Sequence, residues 1–171
     1  MIRLLDRIFG RGAKEGDLSA LWHRVIEIAR EEHWYAERDV ADTVEGRFDM
    51  ITAATALVLI RLNREGDIEA AARLTELFID DMDGQLREAG VGDLAVGKSM
   101  GKLVSALGGR IGAYQEGLDG DDEALAAAAD RNVTRLAESE SSMALAKGLR
   151  SLAADIDAAP LPALLAGKIA R

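Results

Sequence analysis

FIDDMDGQLREAGVGDLAVGKSMGKL, residues 78–103, reads as the end of one helix, a glycine-punctuated corner and the start of a second helix. Upstream of the corner, Leu74, Phe78, Met82 and Leu86 recur at the spacing of a single helical face. Glu69, Arg73, Glu76, Asp80, Asp83 and Arg87 fall on the opposite face. There Glu69–Arg73 and Asp83–Arg87 stand four apart in the favourable order for ion pairs. Gly90 suits a left-handed helix end, Gly92 frees the turn, and Asp93 is placed to cap the next helix. The stretch predicts a helix–corner–helix joint.

The same corner carries a nucleotide-loop pattern. Gly92 to Ser99 satisfies G-x-x-x-x-G-K-[ST], whose chemistry needs a buried strand leading in, so that backbone N–H groups converge on phosphates. Here the lead-in, Asp80 to Glu88, is helical in period and rich in carboxylates that would repel a triphosphate. No later apolar strand ends in an Asp placed to hold magnesium. The expectation is architecture at this corner, with a nucleotide-binding enzyme as the alternative.

The whole chain points the same way. At 171 residues it suits one domain able to bury a core without staples. Without cysteine it has no disulfide, thiolate zinc site or cysteine nucleophile. A net charge of -9 argues against a nucleic-acid partner, which needs clustered cations. Abundant Ala and Leu with only two prolines favour an all-α fold, read as a single-domain bundle of about six to eight helices.

Residues 1–16 form a cationic amphipathic segment and linker, and residues 17–171 the helical domain. In the first segment Ile8 and Phe9 share an apolar face with Ile2 and Leu5, while Arg3 and Arg7 lie elsewhere. The segment is either a contact for an anionic membrane surface or a helix packed on the domain. It is too short to span a bilayer and lacks the features of a secretory signal.

Asp17 is placed to cap a helix with Leu21, Trp22, Val25, Ile28 and Ala29 on one face. His23 and His33 read as surface or boundary residues, because no further metal ligands accompany them at a ligand spacing. Trp34-Tyr35 would anchor a partner if exposed and close the core if packed, and packing is the expectation. Asp39 to Arg47 reads as a connector, and Phe48 to Leu62 as a central helix apolar all round.

After the corner, Met100, Val104, Leu107, Ile111, Tyr114 and Leu118 form an apolar seam. Gly97, Gly101, Ser105, Gly109, Ala113 and Gly117 make a ridge of small residues four apart. Each interior glycine costs about 1 kcal/mol relative to alanine, which close helix contact would offset. Tight packing within the domain is the first expectation and a groove for a partner helix the second. Asp119 to Glu123 reads as an acidic turn and cap. The next face holds Leu125, Ala128, Ala129, Asn132, Val133 and Leu136, with Asn132 expected to tie two helices. A further helix is expected from Ser139, and Pro160 and Pro162 precede a final short turn.

No nucleophile with its base, metal cluster or cofactor motif emerges, so composition and spacing stop at a helical domain with interaction surfaces, a generic adaptor. Ordered segments carry the reading further: Glu45-Gly46-Arg47-Phe48-Asp49, Asp81-Met82-Asp83, Leu86-Arg87-Glu88, Gly90 to Lys98, Gly109-Arg110, Ala113-Tyr114 and Arg131-Asn132-Val133. With these the chain resembles the ubiquinol–cytochrome c reductase assembly chaperones, the cytochrome b chaperone family of mitochondria and related bacteria. The resemblance implies a non-catalytic chaperone, without cofactor or metal, that holds newly made cytochrome b or other bc1 components. In mitochondrial members it also implies a small partner protein and the ribosome. Lacking a stretch like a transit peptide, the chain reads as a bacterial member, cytoplasmic and peripheral on the inner leaflet. For such a role the groove would run along Met100 to Leu118, with Asp81, Asp83, Arg87, Asp93 and Lys98 as a charged rim. Arg47, Phe48, Arg110 and Tyr114 join these as partner-binding candidates.

Overall fold

The computed structural model describes residues 17–88 and 93–171, excepting the side chains of Leu86, Arg87 and residues 93–100. The cationic segment, with Arg3, Arg7, Ile8 and Phe9, and the glycines of the corner lie outside the described residues.

Everything is arranged around one helix. Thr43 accepts a hydrogen bond from the Gly46 amide (3.1 Å) and so starts a helix at Val44, inside the stretch expected as a connector. Gly66, at φ +75°, ends it in the left-handed conformation that glycine adopts without strain. Between them, Met50 through Ile60 and Leu62 are all buried, as expected for a helix apolar all round. Thr52 and Thr55 donate their hydroxyls to the Phe48 and Ile51 carbonyls of their own helix, so neither costs an unpaired polar group.

In chain order the helices are α1 (Ser19–Ala29), α2 (Glu32–Ala36), α3 (Val44–Glu65), α4 (Ile68–Glu88), α5 (Asp93–Asp119), α6 (Asp122–Asn132), α7 (Met143–Ala158) and α8 (Leu161–Leu165). Helices α1, α4, α5 and α7 surround α3, and α6 fills the space between α5 and α7. The all-α reading is correct: among the described residues the only β pairing is one isolated bridge.

The apolar faces expected on α1, α4 and α7 are the buried ones. Trp22 meets Phe78 edge-on at 6.1 Å, joining α1 to α4. Trp34 is fully buried and donates its indole N–H to the Ile28 carbonyl (2.7 Å), and Tyr35 donates to the Ala29 carbonyl (2.8 Å). The pair packs, as expected. Asp67 and Asp121 cap α4 and α6 through the amides of Ala70 and Ala124.

Several expectations need correcting. Arg73 pairs with Glu76 (2.9 Å), one residue short of the spacing expected with Glu69. Helix α6 stops at Asn132, and the backbone then runs extended beside residues 39–41. Val40 and Arg135 form the bridge, Ala41 donates to Thr134 (3.0 Å), and Leu136 donates to Asp39 (2.8 Å). Leu136 is accordingly 44% exposed and belongs to no helical face. Ser139 starts no helix; its hydroxyl donates to Asp39 (2.8 Å), and α7 begins only at Met143.

At the corner, helix α4 persists to Glu88 and α5 is helical from Asp93, so the lead-in has the helical form expected and no strand form. The expected ridge of small residues divides. A Cβ built on Gly101 or Gly109 would meet nothing within 4 Å, and the same holds at Gly108 and Gly112 beside them. Ala113 packs against the core, and at Gly117 Leu125 Cα stands 2.8 Å from such a Cβ. Of the expected seam, Leu107 and Tyr114 are buried, Ile111 and Leu118 are half-buried, and Val104 is exposed, so its apolar face turns only partly inward.

Replacing Gly108 and Gly112 by alanine should therefore raise stability by about 1 kcal/mol each. Gly117→Ala should lower it by roughly 1–3 kcal/mol. Thermal unfolding of the three variants measures both; a loss at Gly108 would mean that this face is covered.

Candidate functional site

Some of the quoted segments meet at one place: those that carry Phe48 and Asp49, Arg110, Tyr114 and Asn132. Helix α3 carries Asp49, which is only 8% exposed, on a face that looks at α5 and at the chain leaving α6. Its Oδ1 accepts from Arg110 Nη2 of α5 at 2.7 Å. Its Oδ2 accepts from the Thr134 amide (2.9 Å) and the Thr134 hydroxyl (2.8 Å). Arg110 Nη2 also donates to the Asn132 carbonyl (3.3 Å), and the guanidinium lies 5.9 Å from the Phe48 ring. Phe48 in turn sits 6.4 Å from Phe78. One ion pair thus gathers α3, α5 and the end of α6.

Tyr114, one turn beyond Arg110, is fully buried, and its hydroxyl has no hydrogen-bond partner among the described residues. Burial pushes the phenol well above its ordinary value, against a smaller opposing pull from Arg110. Arg110 and Tyr114 are thus set inward as parts of this knot. Phe48 is half-buried against it.

The other candidates are scattered. Arg47 stands exposed and pairs with Asp42 (2.6 Å), a hydrogen bond that lowers the Asp42 carboxyl and raises the guanidinium. It borders a surface depression of about 690 Å³ lined also by Arg30, Glu32, Tyr35 and Asp42. Asp81 is half-buried and accepts from Gln85 (3.3 Å), and Asp83, also half-buried, follows on the same helix. The side chains of Arg87, Asp93 and Lys98 lie outside the described residues. Gly46 has a visible reason: a Cβ there would run into the Ala41 carbonyl.

Two participants had no sequence signal. Thr134, which supplies two of the Asp49 bonds, follows a quoted segment but carries no mark of its own. Arg150 of α7 salt-bridges Asp122 (2.7 Å) and donates to the carbonyls of Gly117, Leu118 and Gly120, neutralising the C-terminal end of α5. Asn132 was expected to tie helices with its side chain, yet that amide donates to Ala128 of its own helix (2.8 Å). Its backbone carbonyl makes the tie.

On the solvent side of α5 lies the second feature. Gly101, Val104, Ser105, Gly108 and Gly112 follow each other at helical spacing on an exposed surface, and Val104 is 47% exposed. Between Gly101 and Gly112 the largest side chain of this set is that of Val104. Among the described residues no group of three or more His, Asp or Glu is placed to hold a metal, and no helix is long and apolar enough to cross a membrane.

The family model described as ubiquinol–cytochrome C chaperone matches residues 36–171, which includes the Asp49 knot and all of α5. The chain belongs to the ubiquinol–cytochrome c chaperone family. A crystal structure described as the Cbp3 homolog from Brucella abortus superposes with a TM-score of 0.76 at 31% sequence identity. The match covers 99% of this chain and 96% of that one, so the likeness to this Cbp3 homolog extends over the whole fold. No curated protein sequence matches the chain.

Asp49→Ala should cost roughly 3–5 kcal/mol, because it leaves the Arg110 guanidinium buried without its counter-charge. Tyr114→Phe should cost nothing measurable and change the alkaline limb. In the native protein the raised phenol holds its proton while the unfolded one ionises near its ordinary pKa of about 10, so stability falls as pH rises past that value. Denaturant unfolding between pH 8 and 11, or thereabouts, should show a shallower decline in the Phe variant. An identical slope would place the Tyr114 hydroxyl in contact with solvent.

Proposed function

We propose that this chain is a non-catalytic chaperone in the assembly of the ubiquinol–cytochrome c reductase and that it receives a helix of newly made cytochrome b on the open face of α5. Family membership supports the first half. The observation that carries the second is the run Gly101, Gly108, Gly109 and Gly112, each with nothing within 4 Å of where a Cβ would stand. Each of these glycines costs about 1 kcal/mol in a helix, and no contact among the described residues offsets it. A client helix laid along the face would approach at backbone distance, as small residues permit between membrane helices, and would recover that cost.

The surroundings support the same occupant. Val104 offers an apolar foothold beside the glycines. Asp81, Asp83, Arg87, Asp93 and Lys98, at the corner between α4 and α5, supply the charged rim that keeps such a face soluble when empty. Glu45 and Arg47 are the exposed members of their segment and add to the polar surface. Residues 1–10, cationic and amphipathic in sequence, hold the chaperone near the anionic leaflet where its client is made. A nucleotide-hydrolysing role gains no support, since residues 93–99 run as helix and their amides are aligned along its axis.

The test places leucines where the client would lie. Gly101→Leu with Gly108→Leu should keep the helical spectrum and leave the melting temperature no lower, because both side chains enter open space and replace glycine within a helix. Recovery of cytochrome b with the tagged chaperone should fall by about tenfold, equivalent to roughly 1.4 kcal/mol of binding. Removing residues 1–10 should reduce sedimentation with anionic vesicles and leave that recovery from detergent extracts unchanged. Full recovery in the leucine variant would move the client to another face.

A further inference from the structure

The chain beyond α8 is held down by a set of contacts that the chaperone reading does not use. Gly167, at φ +73°, turns the backbone onto α1, where a Cβ would stand 2.6 Å from the Ala20 carbonyl. Ile169 is then buried, and its carbonyl accepts from Arg24 Nη2 at 3.1 Å. Arg171 follows, with its guanidinium 5.4 Å from the Trp34 ring and Nε 3.0 Å from Glu31 Oε2. Asp155 of α7 stands 4.0 Å from Nη1, and the Arg171 side chain is only 15% exposed.

The receiving groups are themselves fixed. Arg38 Nη1 lies 2.7 Å from His33 Nδ1, on the far side of the imidazole. His33 Nε2 lies 2.7 Å from the same Glu31 oxygen that meets Arg171, and 3.1 Å from Arg171 Nη2. Trp34 is anchored through its indole N–H, and Arg38 also lies over its ring at 5.3 Å. A flat aromatic face with two carboxylates at its edge matches a guanidinium, which is planar, weakly hydrated and able to stack while donating sideways; an ammonium lacks the plane.

We propose that Trp34, Glu31 and Asp155 form an arginine-binding site, and that Arg171 is its resident ligand, latching residues 167–171 as a detachable strap across α1. The class of ligand is an arginine side chain, preceded two positions earlier by an aliphatic residue that fills the place of Ile169. An arginine so presented by another chain competes with the latch and takes the place of Arg171 over the Trp34 ring, releasing residues 167–171 from α1.

The experiment uses the full chain with Trp22→Phe, so that emission reports Trp34, and adds Arg171→Ala. The variant should show red-shifted emission and about tenfold faster amide exchange at residues 168–170, with an unchanged helical spectrum. Methylguanidinium should return the emission saturably at concentrations where methylammonium does not. Glu31→Gln in the same background should abolish that return, and Arg171→Lys should restore emission only in part. Unchanged emission and exchange in Arg171→Ala would show that nothing is latched. Equal rescue by methylammonium, or full restoration by lysine, would reduce the site to a point charge and overturn the proposal.

Discussion

A carboxylate on the inner face of an otherwise apolar helix is tolerable only if its lone pairs meet donors and its charge meets a cation. Asp49 satisfies both conditions, through Arg110 on α5 and through the amide and hydroxyl of Thr134 beyond α6. Its three partners come from parts of the chain 61 and 85 residues away, so they assemble only when the bundle does. Apolar burial drives the helices together, but it is non-directional and would accept α5 in several rotations. The ion pair selects one. With Arg110 turned toward Asp49, Leu107 and Tyr114 go inward and the glycine run goes outward.

This rotation links packing to function. Helix α5 is sealed at its far end by Gly117 against Leu125 and by Arg150, whose guanidinium meets the last carbonyls. Between Gly101 and Gly112 its outward face carries glycines and Val104. In the proposed role such a face lets a client helix approach closely while exposing little apolar area. The core gathers around α3, and this face of α5 adds little to it.

Much of the architecture was legible because helical period is a strong local signal. Leu74, Phe78 and Met82 declared the buried face of α4, and the run from Met50 to Leu62 declared the central helix. The acidic turn from Asp119 to Glu123 marked a true start, with Asp121 as the cap. What failed was long-range or directional. Residues 133–136 continue a helical pattern in sequence, yet pairing with residues 39–41 wins there because Asp39, held at φ +58° and bonded by Leu136 and Ser139, offers backbone partners a helix could not use. The seam and the ridge on α5 were both visible, but periodicity names faces without saying which one meets the neighbour. That Arg110 is set inward was not legible for the same reason, since nothing local shows a buried counter-charge on another helix. Of the segments that carry the family resemblance, those holding Asp49, Arg110 and Asn132 are joined in the Asp49 knot.

The central claim is that Asp49 and Arg110 act as one unit that sets the rotation of α5. A double-mutant cycle with Asp49→Ala, Arg110→Ala and the pair, read by denaturant unfolding, measures it directly. The account predicts a coupling of roughly 2–3 kcal/mol, with the double variant more stable than the sum of single losses allows. Losses that add to within about 0.5 kcal/mol would mean that the two side chains do not depend on each other and that α5 is oriented by its apolar seam alone.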